Sequence, residues 1–278
     1  VYCPAAKTGP DAANQHLLVV PTPRGTFLAF WTQASEENAP DQRIVLARSE
    51  DRGKTWSRPM VLAGDPAGRK GHWASWAFPF VVPYSGRVYV FWNQYAGVTD
   101  AREDTTGVLA YRWSHDDGRT WSQTRTLPIR KTAISNPEPG SPENWVTYQC
   151  PIITPAGDVL VGFTRWASRK VQPAGGLFDR DSEIGFLRFD NILSETDPTK
   201  LRVTTLPDGE HGLRVPRPDA PQISVAQEPS IQPLSGNRLI CVMSLRRHLN
   251  ARIKSIFFSK SRWRIRKKKI STGFTGKC

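Results

Sequence analysis

Ser49-Glu50-Asp51-Arg52-Gly53-Lys54-Thr55-Trp56 and Ser114-His115-Asp116-Asp117-Gly118-Arg119-Thr120-Trp121 share one pattern, Ser-x-Asp-x-Gly-x-Thr-Trp, and stand 65 residues apart. Each follows an apolar run, Ile44 to Arg48 in one case and Val108 to Trp113 in the other, and each precedes another short strand-like run. These residue types describe a hairpin turn. Glycine supplies a positive φ, the carboxylate accepts hydrogen bonds from nearby backbone N–H groups, and tryptophan packs back over the strands. A turn that returns in the same context predicts a repeated β-unit.

The repeat extends beyond the turn. Leu17 to Trp31 is a strand pair around Gly25, and Phe80 to Trp92 is a second around Gly86; Gly25 to Gly86 and Trp31 to Trp92 are both separated by 61 residues. A third copy runs from Pro151 to Arg165 around Gly157, and a fourth from Pro229 to Met243 around Gly236. A four-stranded unit with an inner hairpin at glycine and an outer hairpin at the Asp-turn is a propeller blade. The third unit lacks the Asp-turn and carries a long polar connection from Asn191 to Lys200 instead.

Composition agrees with an all-β chain. Ten Trp, 21 Gly and 23 Pro in 278 residues, with little helical periodicity, predict sheets joined by tight turns and longer loops. No apolar run reaches the 18 residues expected of a membrane-crossing helix. The chain begins Val1-Tyr2-Cys3-Pro4 without a charged-then-apolar leader, so the compartment stays open, a secreted or periplasmic parent protein included. Cys3, Cys150, Cys241 and Cys278 show no metal-ligand spacing, and no metal or cofactor is expected.

The net charge of +13 is unevenly placed. Residues 245–278 hold twelve Lys or Arg and no Asp or Glu, so the first 244 residues are near neutral. The division expected is therefore residues 1–243 as propeller blades and residues 244–278 as a basic tail. Two readings of the tail are open: an arm for nucleic acid or an anionic membrane, or sequence that is not native to a blade.

The Asp-turn repeat resembles the Asp-box, or bacterial neuraminidase repeat, of sialidases and related propellers. The resemblance covers residues 15–243 in architecture and implies a six-bladed β-propeller of sialidase type, incomplete here at about three and a half blades. It further implies that Asp51 and Asp116 are structural, lying on outer turns away from the site. The stretch Gln227-Glu228-Pro229-Ser230-Ile231-Gln232-Pro233-Leu234 resembles the family segment that opens with a site glutamate, which makes Glu228 a catalytic candidate. The arginine that closes that segment in the family would fall at residue 244, which is Ser, and the family's first arginine falls where this chain has Gln15-His16-Leu17.

Sialidases require arginines that grip a carboxylate, a tyrosine activated by glutamate, and an acid/base on a loop. By register, the loop Ser35 to Asp41 corresponds to the acid/base loop, so Glu37 and Asp41 are the candidates for that role. Arg165, Gln94 and Gln33 end three inner strands in the same register and are expected to bind substrate. His72-Trp73, Trp76, Asn144-Trp145, Tyr148 and Gln149 precede inner strands and would approach the same axial mouth, where aromatic rings stack on sugars; packing between blades is the competing role for the tryptophans. The expected partner is a glycan or small sugar. The expected function is exo-glycoside hydrolysis, with a non-catalytic carbohydrate-binding propeller as the alternative.

Overall fold

The computed structural model describes residues 8–245 and 254–259 except residues 66, 68, 70, 71 and 237; for Leu245 and residues 254–259 it describes the backbone alone. Among the described residues the chain is all-β, with two single-turn 3₁₀ segments. The first unit comprises β1 (Ala13–Pro21), β2 (Phe27–Ala34), β3 (Arg43–Ser49) and β4 (Met60–Gly64), antiparallel in chain order. β5 (Ala74–Val81), β6 (Val88–Gln94), β7 (Thr106–Ser114) and β8 (Arg125–Leu127) repeat that meander. The third unit pairs a broken inner strand, β9 (Glu143–Val146) and β10 (Ile152–Ile153), with β11 (Val159–Trp166), followed by β12 (Ser182–Phe189) and β13 (Val203–Leu206).

A hairpin of β14 (Pro216–Arg217) and β15 (Ala220–Ser224) leads into β16 (Ala226–Leu234), β17 (Arg238–Leu245) and β18 (Lys254–Ser259). β17 thus continues two residues past Met243, and β18 lies antiparallel to it from Arg238↔Ser259 to Met243↔Lys254. The basic-tail expectations otherwise concern residues 246–253 and 260–278, which lie outside the described residues.

Alternation along the strands builds the cores between units. On β2, Leu28 and Phe30 face the second unit, where they join Val88, Val90 and Trp92; Ala29 and Trp31 face the other way with Val45 and Ala47. Phe78, Phe91, Trp145, Phe163, Leu187 and Phe189 fill the space between the second and third units. Each such buried side chain contributes about 1.5–3 kcal/mol relative to exposure. Ile184, Phe186, Ile231, Cys241 and Met243 do the same between the third and fourth units.

Both Asp-turns close as expected. Asp51 Oδ1 accepts from Ser49 Oγ at 2.8 Å and from Thr55 N at 2.8 Å, Asp51 Oδ2 accepts from Thr55 Oγ1 at 2.6 Å, and Trp56 Nε1 donates to Gly53 O at 3.1 Å. The second turn matches bond for bond: Ser114 Oγ and Thr120 N donate to Asp116 Oδ1 at 2.7 and 2.9 Å, Thr120 Oγ1 donates to Oδ2 at 2.7 Å, and Trp121 Nε1 donates to Gly118 O at 3.1 Å. Gly53 and Gly118 have φ of 89° and 75°, and the residues before them, Arg52 and Asp117, are also left-handed. Hydrogen bonds from Thr55 hold the Asp51 carboxyl down at about 2; those from Thr120 and Ser114 do the same for Asp116, against a partial burial that acts the other way.

Candidate functional site: a mouth built on strand bulges

The inner strand of each unit is interrupted near its start. In β1 the register slips between Gln15 and Leu18, in β5 between Ser75 and Phe78, and in β16 between Gln227 and Ser230, so two residues oppose one on the neighbouring strand. The first extra residue is left-handed in all three: His16 at φ 57°, Trp76 at 61° and Glu228 at 52°. Non-glycine residues in this region cost on the order of 1–3 kcal/mol, and they persist where surrounding contacts hold them. Here the preceding unit does so. Trp76 N donates to Thr32 Oγ1 at 3.0 Å, and Glu228 N donates to Thr164 Oγ1 at 2.7 Å. In register with these threonines, Asn93 Nδ2 donates to Trp145 O at 2.9 Å across to the third unit. There the bulge widens into the segment 147–151, which carries Tyr148 and Gln149.

These bulges bring three rings together. His16 and Trp76 have centroids 5.9 Å apart, His16 and Tyr148 5.8 Å, and Trp76 and Tyr148 5.6 Å, all edge-to-face. Burial lowers the His16 imidazole to about 4, so it is neutral at pH 7. Burial also raises the Tyr148 phenol, and the Glu228 carboxylate adds to that, with Asp104 and Glu37 acting in the same direction and Arg102 against them. Tyr148 therefore keeps its proton and can donate it in a hydrogen bond.

The loop after β2 meets the loop after β6 beside these rings. Arg102 bridges Glu37 at 3.3 Å and Asp104 at 2.5 and 2.8 Å, while Trp76 Nε1 donates to Asp104 O at 2.8 Å. Asp104 N donates to Asn38 Oδ1 at 3.2 Å, and Asn38 Nδ2 donates to Glu103 at 3.2 Å. The Asp104 carboxyl is buried, and that burial raises it to about 6 although Arg102 opposes the shift.

The expected residues divide into two groups. Glu228 and Glu37 are exposed, and Tyr148, half-buried, lies with them in the mouth. Trp73 stacks on Tyr95 at 5.1 Å; Trp76 is buried beside Tyr148, and Trp145 is wholly buried between units against Phe78 and Phe163. Asp41 anchors the base of the Glu37 loop by accepting from Ser35 N and Oγ. Gln33 accepts from Arg43 Nη2 at 2.7 Å and donates to Asn14 at 3.0 Å. Gln94 accepts from Trp92 Nε1 at 3.0 Å and donates to Trp73 O at 2.8 Å. Gln149 accepts from Ile231 N at 2.6 Å and so ties the third unit to the fourth.

Arg165 is 1% exposed. It pairs with Glu143 at 2.8 Å and Glu183 at 3.1 Å and donates to Arg130 O at 2.6 Å, a closed charge cluster that also lies over the Phe163 ring. Arg102, Asp104 and the ring of His16 were not among the expected site residues. The first two could have been found by carrying the 61-residue offset from the Glu37 loop into the second unit, which reaches the loop that holds them.

Comparison with known proteins agrees with this architecture. Residues 25–262 match the BNR repeat-like domain, and the chain belongs to that family, within the sialidase and BNR-repeat superfamily. Its fold is similar to that of a Hadza microbial sialidase, at 15% identity and a TM-score of 0.59, over 92% of this chain and 48% of that one. It is also similar to the intramolecular trans-sialidase from Ruminococcus gnavus in complex with oseltamivir carboxylate, at 12% identity and a TM-score of 0.60, over 95% of this chain and 72% of that one. Trypanosoma rangeli sialidase in complex with the inhibitor DANA matches at 12% identity and a TM-score of 0.57, over 92% of this chain and 38% of that one. The chain thus spans less than half the length of two of these three proteins. Among the described residues no helix is long and apolar enough to cross a membrane.

Proposed function

We propose that this chain belongs to a sialidase-like exo-glycoside hydrolase, its units forming part of a six-bladed propeller and its bulge residues the mouth that receives a terminal sugar. The observation that carries the reading is Glu228: a glutamate set on a strained bulge, held by Thr164, with Tyr148, Trp76 and His16 close by. Strain at a polar, exposed position is characteristic of functional sites. A sugar placed against the partly exposed Tyr148 would meet Glu228 from the fourth unit and Glu37 from the first. One carboxyl would protonate the departing glycosidic oxygen and the other would act on the anomeric side, directly or through water. Asp41 would fix the Glu37 loop, and Arg102 would orient Glu37.

A second reading, sugar binding without turnover, is supported by the ring cluster of Tyr148, Trp76 and His16, which offers an apolar floor whether or not bond cleavage follows. A panel of fluorogenic glycosides separates the two. Hydrolysis that falls at least about 100-fold in Glu228→Gln, with glycoside binding retained, is the expected result. Binding of a glycoside with no turnover across the panel assigns the second reading.

A further inference from the structure

We propose that copies of this chain associate head to tail, the fourth unit of one copy seating on the first unit of the next. The inference is independent of what the mouth binds. It comes from setting the first unit beside the second, whose strands repeat it in register. Phe30 pairs with Leu18 as Phe91 pairs with Phe78, and the left-handed bulge residue His16 corresponds to Trp76. On that register Leu17 and Val19 correspond to Ala77 and Pro79, Ala29 and Trp31 to Val90 and Trp92, and Trp56 to Trp121.

In the second unit this face is covered. Val90 and Trp92 are fully buried against Leu28 and Phe30 of the first unit, Ala77 and Pro79 are buried, and the Trp121 ring meets Phe30 edge-to-face at 6.0 Å. The matching face of the first unit holds a groove of about 440 Å³, lined by Leu17, Val19, Trp31 and Trp56 together with Asn14 and Arg58. Leu17 is 53% exposed and Val19 44%. Exposed apolar side chains at positions whose counterparts lie inside the molecule mark an interaction surface. The second unit shows what such a face accepts: a strand with apolar side chains at alternate positions, as Leu28 and Phe30 stand on β2.

The fourth unit carries such a strand. Pro233 pairs with Leu239 beside its hairpin as Pro21 pairs with Phe27 in the first unit, so Ile240 and Val242 stand where Leu28 and Phe30 stand. Cys241 and Met243 are buried against the third unit, and alternation along β17 puts Ile240 and Val242 on the opposite face. Both are half-buried, whereas Leu28 and Phe30 are wholly buried. The two ends of the arc thus present the two halves of an interface that the chain already builds between its first and second units. Those halves lie on different surfaces, so the contact is heterologous and joins copies into a ring or an open string.

The test is sedimentation velocity of the full chain from about 1 to 100 µM. Species larger than the monomer are expected, their share rising with concentration. Val19→Glu, at an exposed position, and Val242→Glu each put a charge in one half of the interface, and each alone is expected to weaken association at least about tenfold. Circular dichroism checks that they fold, and Ile240→Glu replaces Val242→Glu if that variant does not. Mixed in equal amounts, the two variants leave one fourth-unit face and one first-unit face intact, so a dimer containing one copy of each is expected and nothing larger. A parent chain that stays monomeric over the whole range overturns the inference. So does association that neither variant weakens, association that only one of them weakens, or a mixture that stays monomeric.

Discussion

The rim and the mouth of this molecule use the same backbone device for different ends. At the rim, Arg52 and Asp117 are left-handed inside turns whose aspartate hydrogen bonds all fall within eight consecutive residues, although Arg48 Nε donating to Asp117 O at 2.8 Å and Arg119 Nη2 donating to Glu50 at 2.7 Å also tie the two turns together. At the mouth, His16, Trp76 and Glu228 are left-handed inside strand bulges, and for Trp76 and Glu228 the stabilising bond comes from a threonine 44 or 64 residues earlier in the chain. A turn whose carboxylate is satisfied by its own eight residues keeps its shape largely without its neighbour. A bulge that depends on the preceding unit is correct only when two units are docked, so the geometry of the mouth reports on the assembly of the whole arc.

The sharpest way to break this dependence is Gly107→Ala. A Cβ there would overlap Asn93 Oδ1 and the Gln94 carbonyl, both on the neighbouring strand at the contact between the second and third units. Backbone cannot yield as a flexible side chain would, so a loss of about 3 kcal/mol or more is expected in chemical denaturation, with loss of glycoside binding. Unchanged stability would show that the two units do not rely on this contact.

Protonation of His16 gives an effect of similar size without touching the fold's contacts. Its folded-state value near 4 lies below the ordinary 6.5, so the associated stability is complete above pH 6.5 and is lost as pH falls through 4. A displacement of that size corresponds to up to about 3 kcal/mol. Asp104 acts in the opposite sense, since a carboxyl raised to about 6 favours the folded state below pH 3.8 and loses that contribution as pH rises through 6. The expected signature is a stability difference between the protein and His16→Gln that shrinks or reverses from pH 7 to pH 4; a difference independent of pH would place the ring outside a buried environment.

Thr164→Val isolates the bond that supports the Glu228 bulge. It removes the acceptor for Glu228 N within a buried site, at an expected cost of about 1–3 kcal/mol. Glycoside binding should weaken as Glu228 shifts. Thr32→Val is the matching change for Trp76, and equal losses of binding in the two variants would sharpen the view that both bulges serve one mouth.

The same contrast explains what could be read from the chain alone. The Asp-turns were legible because their whole physics is local: serine, aspartate, glycine, threonine and tryptophan satisfy one another at fixed offsets. The glycine register also placed Gln33, Gln94 and Arg165 at or next to the ends of β2, β6 and β11. The mouth was less legible because its three left-handed positions hold a histidine, a tryptophan and a glutamate, which share no residue pattern. Their supports lie on other strands. Arg165 illustrates the limit, since an arginine at a strand end reads the same whether it faces a ligand or, as here, two buried glutamates supplied by β9 and β12. Arg102 and Asp104 sit in a loop whose meaning emerges only when Glu37 and Trp76 are brought against it.

The smallest expected effect completes the comparison from the rim side. Asp116→Ala deletes an acceptor of three hydrogen bonds in a turn that is partly open to water, and water can take over part of that role. Trp121 should stay near Phe30, with which it makes an edge-to-face contact at 6.0 Å, because that ring is held by packing as well as by its bond to Gly118. The melting temperature is therefore expected to fall by a few degrees, more at pH 7 than at pH 2, because the carboxyl is charged and hydrogen-bonded only above its lowered value. Glycoside binding should be unchanged in titration at a temperature where the variant is folded. A clear loss of binding would mean that the rim turn is transmitted to the bulges, and would remove the distinction between a self-contained turn and a mouth that depends on its neighbours.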